Sequence, residues 1–240
     1  MIVIVGIGAD GMSGLGETSR AELRRATVIY GSKRQLDLLD DTVAAARREW
    51  PSPMLPALQT LLDAHAEDIH VVASGDPLLH GIGGTLIRLH GPDRVRVLPH
   101  VSSVTLACAR MGWNVHDTEV ISLVTAEPHT AVRRGGQAIV LSSGGSTPKA
   151  LAVLLDAHGR GDSEFSVLER LGGPTERRRD GTARQWADDA PPAGAHWWCS
   201  PQRPGSGCAA PTTSTARPRP AWTASPAGWP TPCTAAGFGC

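Results

Sequence analysis

Short, uninterrupted apolar runs, each followed by a glycine-rich stretch, constrain the fold of this chain more than any other feature. Residues 2–5 form one such run, which ends at Gly6, and residues 71–73, which follow His70, form a shorter one that leads into Ser74-Gly75. An apolar run without polar alternation is typical of a strand that is covered on both faces, as in a parallel sheet. Helical patterns separate these runs, so the sequence predicts an α/β fold. The predicted strands of the first half are 2–5, 28–30, 70–73 and 95–98, and the predicted helices are 19–26, 33–41, 55–65 and 83–90.

The same alternation starts again after Pro99. Two α/β lobes, 1–98 and 99–188, are therefore expected, each of a common domain size and with a cleft between them. Ligands of α/β folds bind beyond the carboxyl ends of the strands, so the loops that follow the strands are the candidate sites. The predicted elements of the second half are helices 102–112 and 148–158 and strands 120–124, 138–141 and 165–169.

The composition changes abruptly at residue 189. Residues 189–240 hold ten of the nineteen prolines and four of the five cysteines, and no Leu, Ile, Val, Met, Lys or Glu. Without aliphatic side chains a segment buries too little apolar surface to offset the entropy of ordering it, so a low-complexity, non-globular and disordered tail is predicted. Its four cysteines lack the spacing of a zinc site. We hypothesise a frameshift near residue 190, because GC-rich coding DNA read in another frame gives such a composition.

Charge and hydropathy exclude several function classes. The chain carries 23 basic and 23 acidic side chains, so it has no general field that attracts nucleic acid. No apolar stretch approaches the ~18 residues of a membrane span, and the opening residues lack the pattern of a signal peptide. The histidines show no metal-ligand spacing. We therefore expect a cytoplasmic protein that binds neither nucleic acid nor membrane and holds no metal.

The loop after the first strand allows two interpretations. Its sequence, GIGADG from Gly6 to Gly11, matches the G-x-G-x-x-G pattern that brings a pyrophosphate to a helix N-terminus. The second strand is followed by Ser32-Lys33-Arg34, which includes no acidic residue for a ribose 2′-hydroxyl but would suit the 2′-phosphate of NADP, so an NADP-dependent oxidoreductase is one alternative. Against it, the glycine-rich stretch continues to Gly16, and Ser19 is expected to cap the first helix in a capping box with Glu22.

Two further loops have backbones shaped for close approach. In the second, Pro77 fixes its own φ and favours an extended Asp76, while Gly75 and Gly81 leave the main chain uncovered by side chains. The third leads from Pro99 into a helix for which Ser102 is a natural N-cap, and this leaves the hydroxyl of Ser103 for another partner. Both loops are predicted to approach a ligand through backbone and hydroxyl groups.

In this order, these residues resemble the tetrapyrrole methylases, the S-adenosylmethionine-dependent enzymes of cobalamin and sirohaem synthesis. The resemblance covers about 1–188 and includes Leu171-Gly172 with Glu176. Its clearest departure is His100, where the family usually has glycine. The chain is most similar to members that methylate C5 of a precorrin. In those members a second methyltransferase domain commonly follows, and here the unusual tail stands in its place.

The resemblance implies a C-methyltransferase that acts on a precorrin-type tetrapyrrole in cobalamin biosynthesis, with S-adenosylmethionine as methyl donor and a homodimer as a possible assembly. A non-catalytic, truncated remnant is a further alternative. Asp10, Asp76 and His100 are candidates to handle a proton, and Arg133-Arg134 and the Arg177-Arg178-Arg179 run either pair with substrate carboxylates or form a solvated face. The implied donor-binding residues are Gly75, Asp76, Pro77, Gly81, Ser102 and Ser103, and the implied macrocycle-binding residues are Gly8, Ala9 and Asp10.

Overall fold

The first half of the chain forms a five-stranded parallel sheet, as the sequence predicts. The computed structural model describes residues 1–61, 68–133, 136–188 and 198–199. The strand order is β3-β2-β4-β1-β5, which places β1 between β4 and β5. The strands are β1 (Ile2–Ile7), β2 (Val28–Gly31), β3 (Ala46–Glu49), β4 (Ile69–Ser74) and β5 (Val95–Leu98).

Helices provide the apolar surroundings of this sheet. Val3 and Val5 of β1 pack in one buried cluster with Leu23, whereas Ile2 and Ile4 belong to a different cluster with side chains of the third and fourth helices. Both faces of β1 are therefore covered, which explains why its sequence is apolar without alternation. The helices are α1 (Glu17–Arg25), α2 (Lys33–Leu36), α3 (Met54–Gln59) and α4 (Ile82–His90).

The second half forms a mixed sheet with the order β6-β7-β10-β8-β9. Phe165 and Trp186 anchor one buried cluster, and Cys108 lies in another with Ile139 and Leu168. Strands β6 and β7 are parallel, and the remaining pairs are antiparallel. The elements are α5 (Ser103–Met111), β6 (Glu119–Ser122), α6 (His129–Arg133), β7 (Ala138–Leu141), α7 (Thr147–Ala157), β8 (Glu164–Glu169), β9 (Arg177–Thr182), α8 (Ala183–Asp188) and β10 (Trp198–Cys199).

Several predicted boundaries need correction. Helix α1 begins at Glu17 with Gly16 as its N-cap, so the prediction of Ser19 as a cap is wrong. A capping interaction instead opens α2, where the side chain of Gln35 accepts a hydrogen bond from the Ser32 N–H at 2.9 Å. Helix α2 is a single turn, shorter than the predicted 33–41, and part of the predicted helix 55–65 falls outside the described residues.

The segment after residue 188 is described only at 198–199, where β10 pairs with β7 and β8. These two residues are ordered within a segment for which the composition predicts disorder. The rest of 189–240 lies outside the described residues, so disorder there stays a prediction, as do the lobe boundaries. Among the described helices, none is long and apolar enough to cross a bilayer.

Candidate active site

Three predicted loops meet at one edge of the parallel sheet. Strands β4, β1 and β5 are neighbours and run in the same direction, so the chain leaves all three at the same edge. The backbone joins the three exits directly. Gly75 N–H donates to Ile7 O at 2.9 Å, and His100 N–H donates to Gly75 O at 3.2 Å. Gly75 is therefore the junction of the loops that follow β1, β4 and β5.

This junction depends on glycine. Gly75 has a φ of +54°, in the left-handed region, and a Cβ there would lie 3.1 Å from Val101 O and 3.4 Å from Ser102 Cα. A Cβ at Gly6 would overlap Gly75 O. The close approach brings together Gly75 and Ser102, two of the residues that the resemblance assigns to the donor.

The remainder of the Gly75 loop is held by its own hydrogen bonds. Asp76 Oδ1 accepts from Leu78 N–H at 2.9 Å, and Pro77 O accepts from Gly83 N–H at 2.9 Å. A Cβ at Gly81 would come within 2.5 Å of Pro77 O, so glycine is needed there for packing. The carboxylate of Asp76 thus stabilises the loop, which makes it a weaker candidate for proton transfer.

The third loop ends in the N-cap that the sequence predicts for the helix after it. Ser102 is the N-cap of α5, and its Oγ accepts from Thr105 N–H at 3.0 Å. Ser103 is the first residue of the helix and is half-buried. Both serines therefore lie beside the junction at Gly75.

The loop after β1 places a carboxylate against a histidine. Asp10 Oδ1 lies 3.5 Å from His100 Nε2, and the two side chains are 29% and 16% exposed. Asp10 Oδ1 is buried and accepts no hydrogen bond from any described residue. A Cβ at Gly8 would lie 2.5 Å from Asp10 Oδ1 and 2.8 Å from His100 Nε2, and one at Gly14 would overlap the carboxylate. Two glycines thus make room for this pair.

The second half of the chain also reaches this loop. A Cβ at Gly173, in the loop after β8, would lie 2.8 Å from both Cβ and O of Ala9. Glu176 holds that loop, because it accepts from Gly172 N–H at 2.7 Å and from Arg110 of α5 at 2.5 and 2.9 Å. The hydrogen bond from Arg110 holds the pKa of Glu176 below its ordinary value. Sequence reasoning assigned no role to Gly173, although a double glycine after a strand was a usable signal.

Two arginines of the β9 run, Arg178 and Arg179, make contacts within the protein. Arg178 pairs with Asp180 at 2.8 Å and donates to Arg110 O at 3.0 Å. The guanidinium of Arg179 lies 4.4 Å from the centre of the Trp186 ring. Arg134 and the side chain of Arg133 lie outside the described residues, so their proposed contact with carboxylates stays a prediction.

The topology argues against dinucleotide binding. Strand β4 separates β1 from β2, whereas β1 and β2 are neighbours in the dinucleotide-binding strand order. The glycine loop also does not open a helix, since a single turn of 3₁₀ helix covers Gly11–Gly14 and α1 begins only at Glu17. No group of three or more potential metal-ligating side chains occurs within the described part of the chain.

Comparison with known proteins assigns the family. The family model described as Tetrapyrrole (Corrin/Porphyrin) Methylases matches residues 1–187. The chain belongs to this family. The methylase family and the α/β fold inferred from the sequence are thereby confirmed.

Individual relatives agree with the family. The chain is 79% identical over 191 residues to the precorrin-6Y C(5,15)-methyltransferase [decarboxylating] of Mycobacterium tuberculosis, which covers 80% of this chain and 49% of that protein. It is 27% identical to the cobalt-precorrin-7 C(5)-methyltransferase of Salmonella typhimurium, covering 74% of this chain and 88% of that protein. The methylase thus spans about half the length of its M. tuberculosis relative.

A solved structure supports the fold. Uroporphyrin-III C-methyltransferase from Thermus thermophilus, crystallised with S-adenosylhomocysteine, superimposes with a TM-score of 0.61 at 21% identity, over 83% of this chain and 91% of the other.

Proposed function

We propose that this methylase transfers a methyl group from S-adenosylmethionine to C5 of a precorrin-type tetrapyrrole in cobalamin biosynthesis. The observation that carries the proposal is the junction at Gly75, where the loops after β1, β4 and β5 are joined by backbone hydrogen bonds. The relatives narrow the substrate, since the M. tuberculosis protein is named for methylation at C5 and C15 and the S. typhimurium protein for C5 alone. Assigning C5 to this chain follows the relative that it covers almost completely.

The residues at the junction fit the proposed donor. S-adenosylmethionine supplies a methyl group that is already activated by its attachment to a positively charged sulfur. The protein then needs no nucleophile, and the described loops offer mainly backbone groups and hydroxyls, with one buried carboxylate oxygen on Asp10 that lacks a hydrogen bond. The residues proposed to hold the donor are Gly75, Asp76, Pro77, Gly81, Ser102 and Ser103.

Positioning is the main contribution that these loops make to catalysis. Holding two reactants in line can lower the barrier by about 7–11 kcal/mol relative to their free encounter. The Gly75 loop would fix the donor, and Gly8, Ala9 and Asp10 would border the macrocycle. Gly173 packs on Ala9 from the second half of the chain. Both halves would therefore shape the substrate side of the site.

Isothermal titration with S-adenosylhomocysteine and with NADPH tests the proposal. We expect binding of the first and no binding of the second. Gly75→Val should abolish S-adenosylhomocysteine binding, because a branched side chain at this positive φ would meet the Val101 carbonyl and Ser102. Gly84→Ala is the matched control, since a Cβ there would meet nothing within 4 Å apart from its chain neighbours and its own helix backbone. Thermal unfolding of both variants establishes that they fold.

A methyl-transfer assay separates an enzyme from a remnant. Precorrin-6Y and S-adenosylmethionine with a ¹³C-labelled methyl should give a product labelled at C5 by NMR. Binding of S-adenosylhomocysteine without transfer would instead indicate a non-catalytic remnant, and NADPH binding would favour the oxidoreductase. A homodimer and a cytoplasmic location also belong to the proposal, and light scattering of the purified chain tests the dimer.

A further inference from the structure

The side chains of Asp10 and His100 form a pair that has no part in the proposed positioning of the methyl donor. They come from different strand exits, and their closest nitrogen and oxygen are 3.5 Å apart. Both are mostly buried, and Asp10 Oδ1 has no hydrogen-bond donor among the described residues. The backbone of His100 is fixed separately by the hydrogen bond from its N–H to Gly75 O. The imidazole is therefore held beside the junction of the three loops.

Two other carboxylates near the junction are occupied. The Asp76 carboxylate accepts from Leu78 N–H within its own loop. Glu176, on the loop that reaches Ala9, is bound to Arg110 and to Gly172 N–H. The oxygens of these carboxylates that accept such bonds are therefore already used in contacts within the protein. Asp10 and His100 remain as the pair that is available to transfer a proton.

Methylation of a meso carbon releases a proton. The carbon uses a π-electron pair to bond to the methyl carbon, and the electron pair of the broken sulfur–methyl bond stays on sulfur. The carbon then bears both hydrogen and methyl, and the macrocycle carries the positive charge. Loss of that hydrogen as a proton returns the C–H electron pair to the π system and restores conjugation. A base positioned at the reacting carbon accelerates such a step.

We infer that His100 accepts this proton and that Asp10 stabilises the resulting imidazolium, an assignment that rests on the proposed function. His100 Nε2 faces Asp10 Oδ1, which leaves Nδ1 of the neutral ring to take the proton. A carboxylate behind an imidazole fixes its tautomer and favours its protonated form. The proton therefore moves from the methylated carbon to Nδ1, and its charge is balanced by Asp10.

A kinetic isotope effect tests the inference. With precorrin-6Y deuterated at C5, we expect little isotope effect for the wild type, in which the proton leaves after methyl transfer. In His100→Ala the rate should fall about 100-fold, the contribution typical of a positioned base, and a primary isotope effect should appear because proton loss has become limiting. Asp10→Asn should give the same signature with a smaller loss. A purely structural role for the pair would not create an isotope effect.

Controls separate this inference from the proposed function. His116 and Asp117 form a similar pair at 3.3 Å that is exposed to solvent, so His116→Ala should change neither rate nor isotope effect. Should the wild type fail to methylate C5, the proposed function fails. Should it succeed while His100→Ala keeps its rate and shows no isotope effect, only the role of His100 is overturned. If His100→Ala does not fold, Asp10→Asn decides in the same assay.

A measurement without substrate adds an independent test. The ¹⁵N chemical shifts of labelled histidine should show His100 as the tautomer with hydrogen on Nε2 in the free protein. The tautomer with hydrogen on Nδ1 would contradict the inference, because no lone pair would then face away from Asp10. S-adenosylhomocysteine titration should give the same affinity for wild type and Asp10→Asn.

Discussion

Two histidine–carboxylate pairs at the parallel sheet differ in the charged groups that surround the carboxylate. His70 of β4 lies 3.3 Å from Glu22 of α1, and both side chains are almost fully buried. Arg25 and Arg96 contact the same carboxylate at 2.6 and 2.7 Å. The pair of His100 and Asp10 contains no such arginine among the described residues. Removing one partner of a buried ion pair destabilises the fold, whereas a carboxylate that has no such partner keeps its capacity for a ligand or a proton.

The pKa shifts of the first pair agree with a structural role. Burial tends to raise the pKa of Glu22, but the hydrogen bonds and charges of Arg25, His70 and Arg96 outweigh burial and lower it. Burial lowers the pKa of His70 and outweighs the opposing effect of Glu22. His70 is thus neutral near pH 7, and the arginines balance the charge of Glu22.

The largest expected effect is a loss of methyl transfer when a side chain crowds the pair of Asp10 and His100. Gly8→Ala places a methyl group 2.5 Å from Asp10 Oδ1 and 2.8 Å from His100 Nε2, so these side-chain ends must move. We expect methyl transfer to fall about 100-fold, as for loss of a positioned base, with little change in the free energy of unfolding. Gly6→Ala would instead meet the Gly75 carbonyl of the backbone and destabilise the fold. Unchanged transfer by a folded Gly8→Ala protein would contradict the role of the pair.

Disrupting the pair of Glu22 and His70 should lower the stability of the protein and leave ligand binding unchanged. Glu22→Gln leaves Arg25 and Arg96 without their carboxylate, and we expect the free energy of unfolding to fall by about 1–3 kcal/mol. Urea denaturation measures this loss, while the affinity for S-adenosylhomocysteine should stay constant. Glu17→Gln, which alters an exposed ion pair with Arg20, should cost at most about 1 kcal/mol. If Glu22→Gln lost methyl transfer without losing stability, the structural role of the Glu22 and His70 pair would be contradicted.

The smallest effect is a pH dependence of stability from His70. Its folded pKa lies below the ordinary 6.5, so the unfolded chain binds the proton more readily. The contribution is complete above pH 6.5 and is lost as the pH falls below it, by up to about 1.4 kcal/mol per pH unit. Urea denaturation between pH 7.5 and 5 should show this slope, and His70→Gln should flatten it. An equal slope in that variant would assign the dependence to other groups.

The sequence predicts apolar strands well and charged strands poorly. Strands β1 and β7 are uninterrupted apolar runs, because both of their faces are covered, and β4 is apolar apart from the buried His70 and its terminal Ser74. Strands β3 and β9 were missed because their sequences, ARRE and RRRDGT, are charged and mostly exposed. Their pairing comes from backbone hydrogen bonds, which side-chain patterns do not reveal. The edge strands β5 and β6 were predicted, because they carry apolar side chains. The frameshift hypothesis stays a prediction, and translating the other frames beyond residue 190 tests it.

The sequence predicts which loops form the candidate site, but it does not predict how these loops are arranged in space. Glycine and proline identified the exits at Gly8, Gly75 and Pro99 as unusual backbones. Their meeting follows from the strand order, which depends on long-range pairing that apolar runs do not encode. His100 stood out from the sequence as a departure from the family pattern and as one of three candidates for a proton. Its distance from Asp10 is what distinguishes it from Asp76.

The position of β1 has a consequence for how the chain is made. This strand leaves the ribosome before β4 and β5, yet Ile2 pairs with Ile69 on one side and with Val95 on the other. At typical synthesis rates of about 5–20 residues per second, β1 waits for several seconds before both neighbours exist. During that time a short, wholly apolar peptide has no sheet to join. Chaperones that bind nascent hydrophobic segments would therefore find a target in β1 until β4 and β5 have been made.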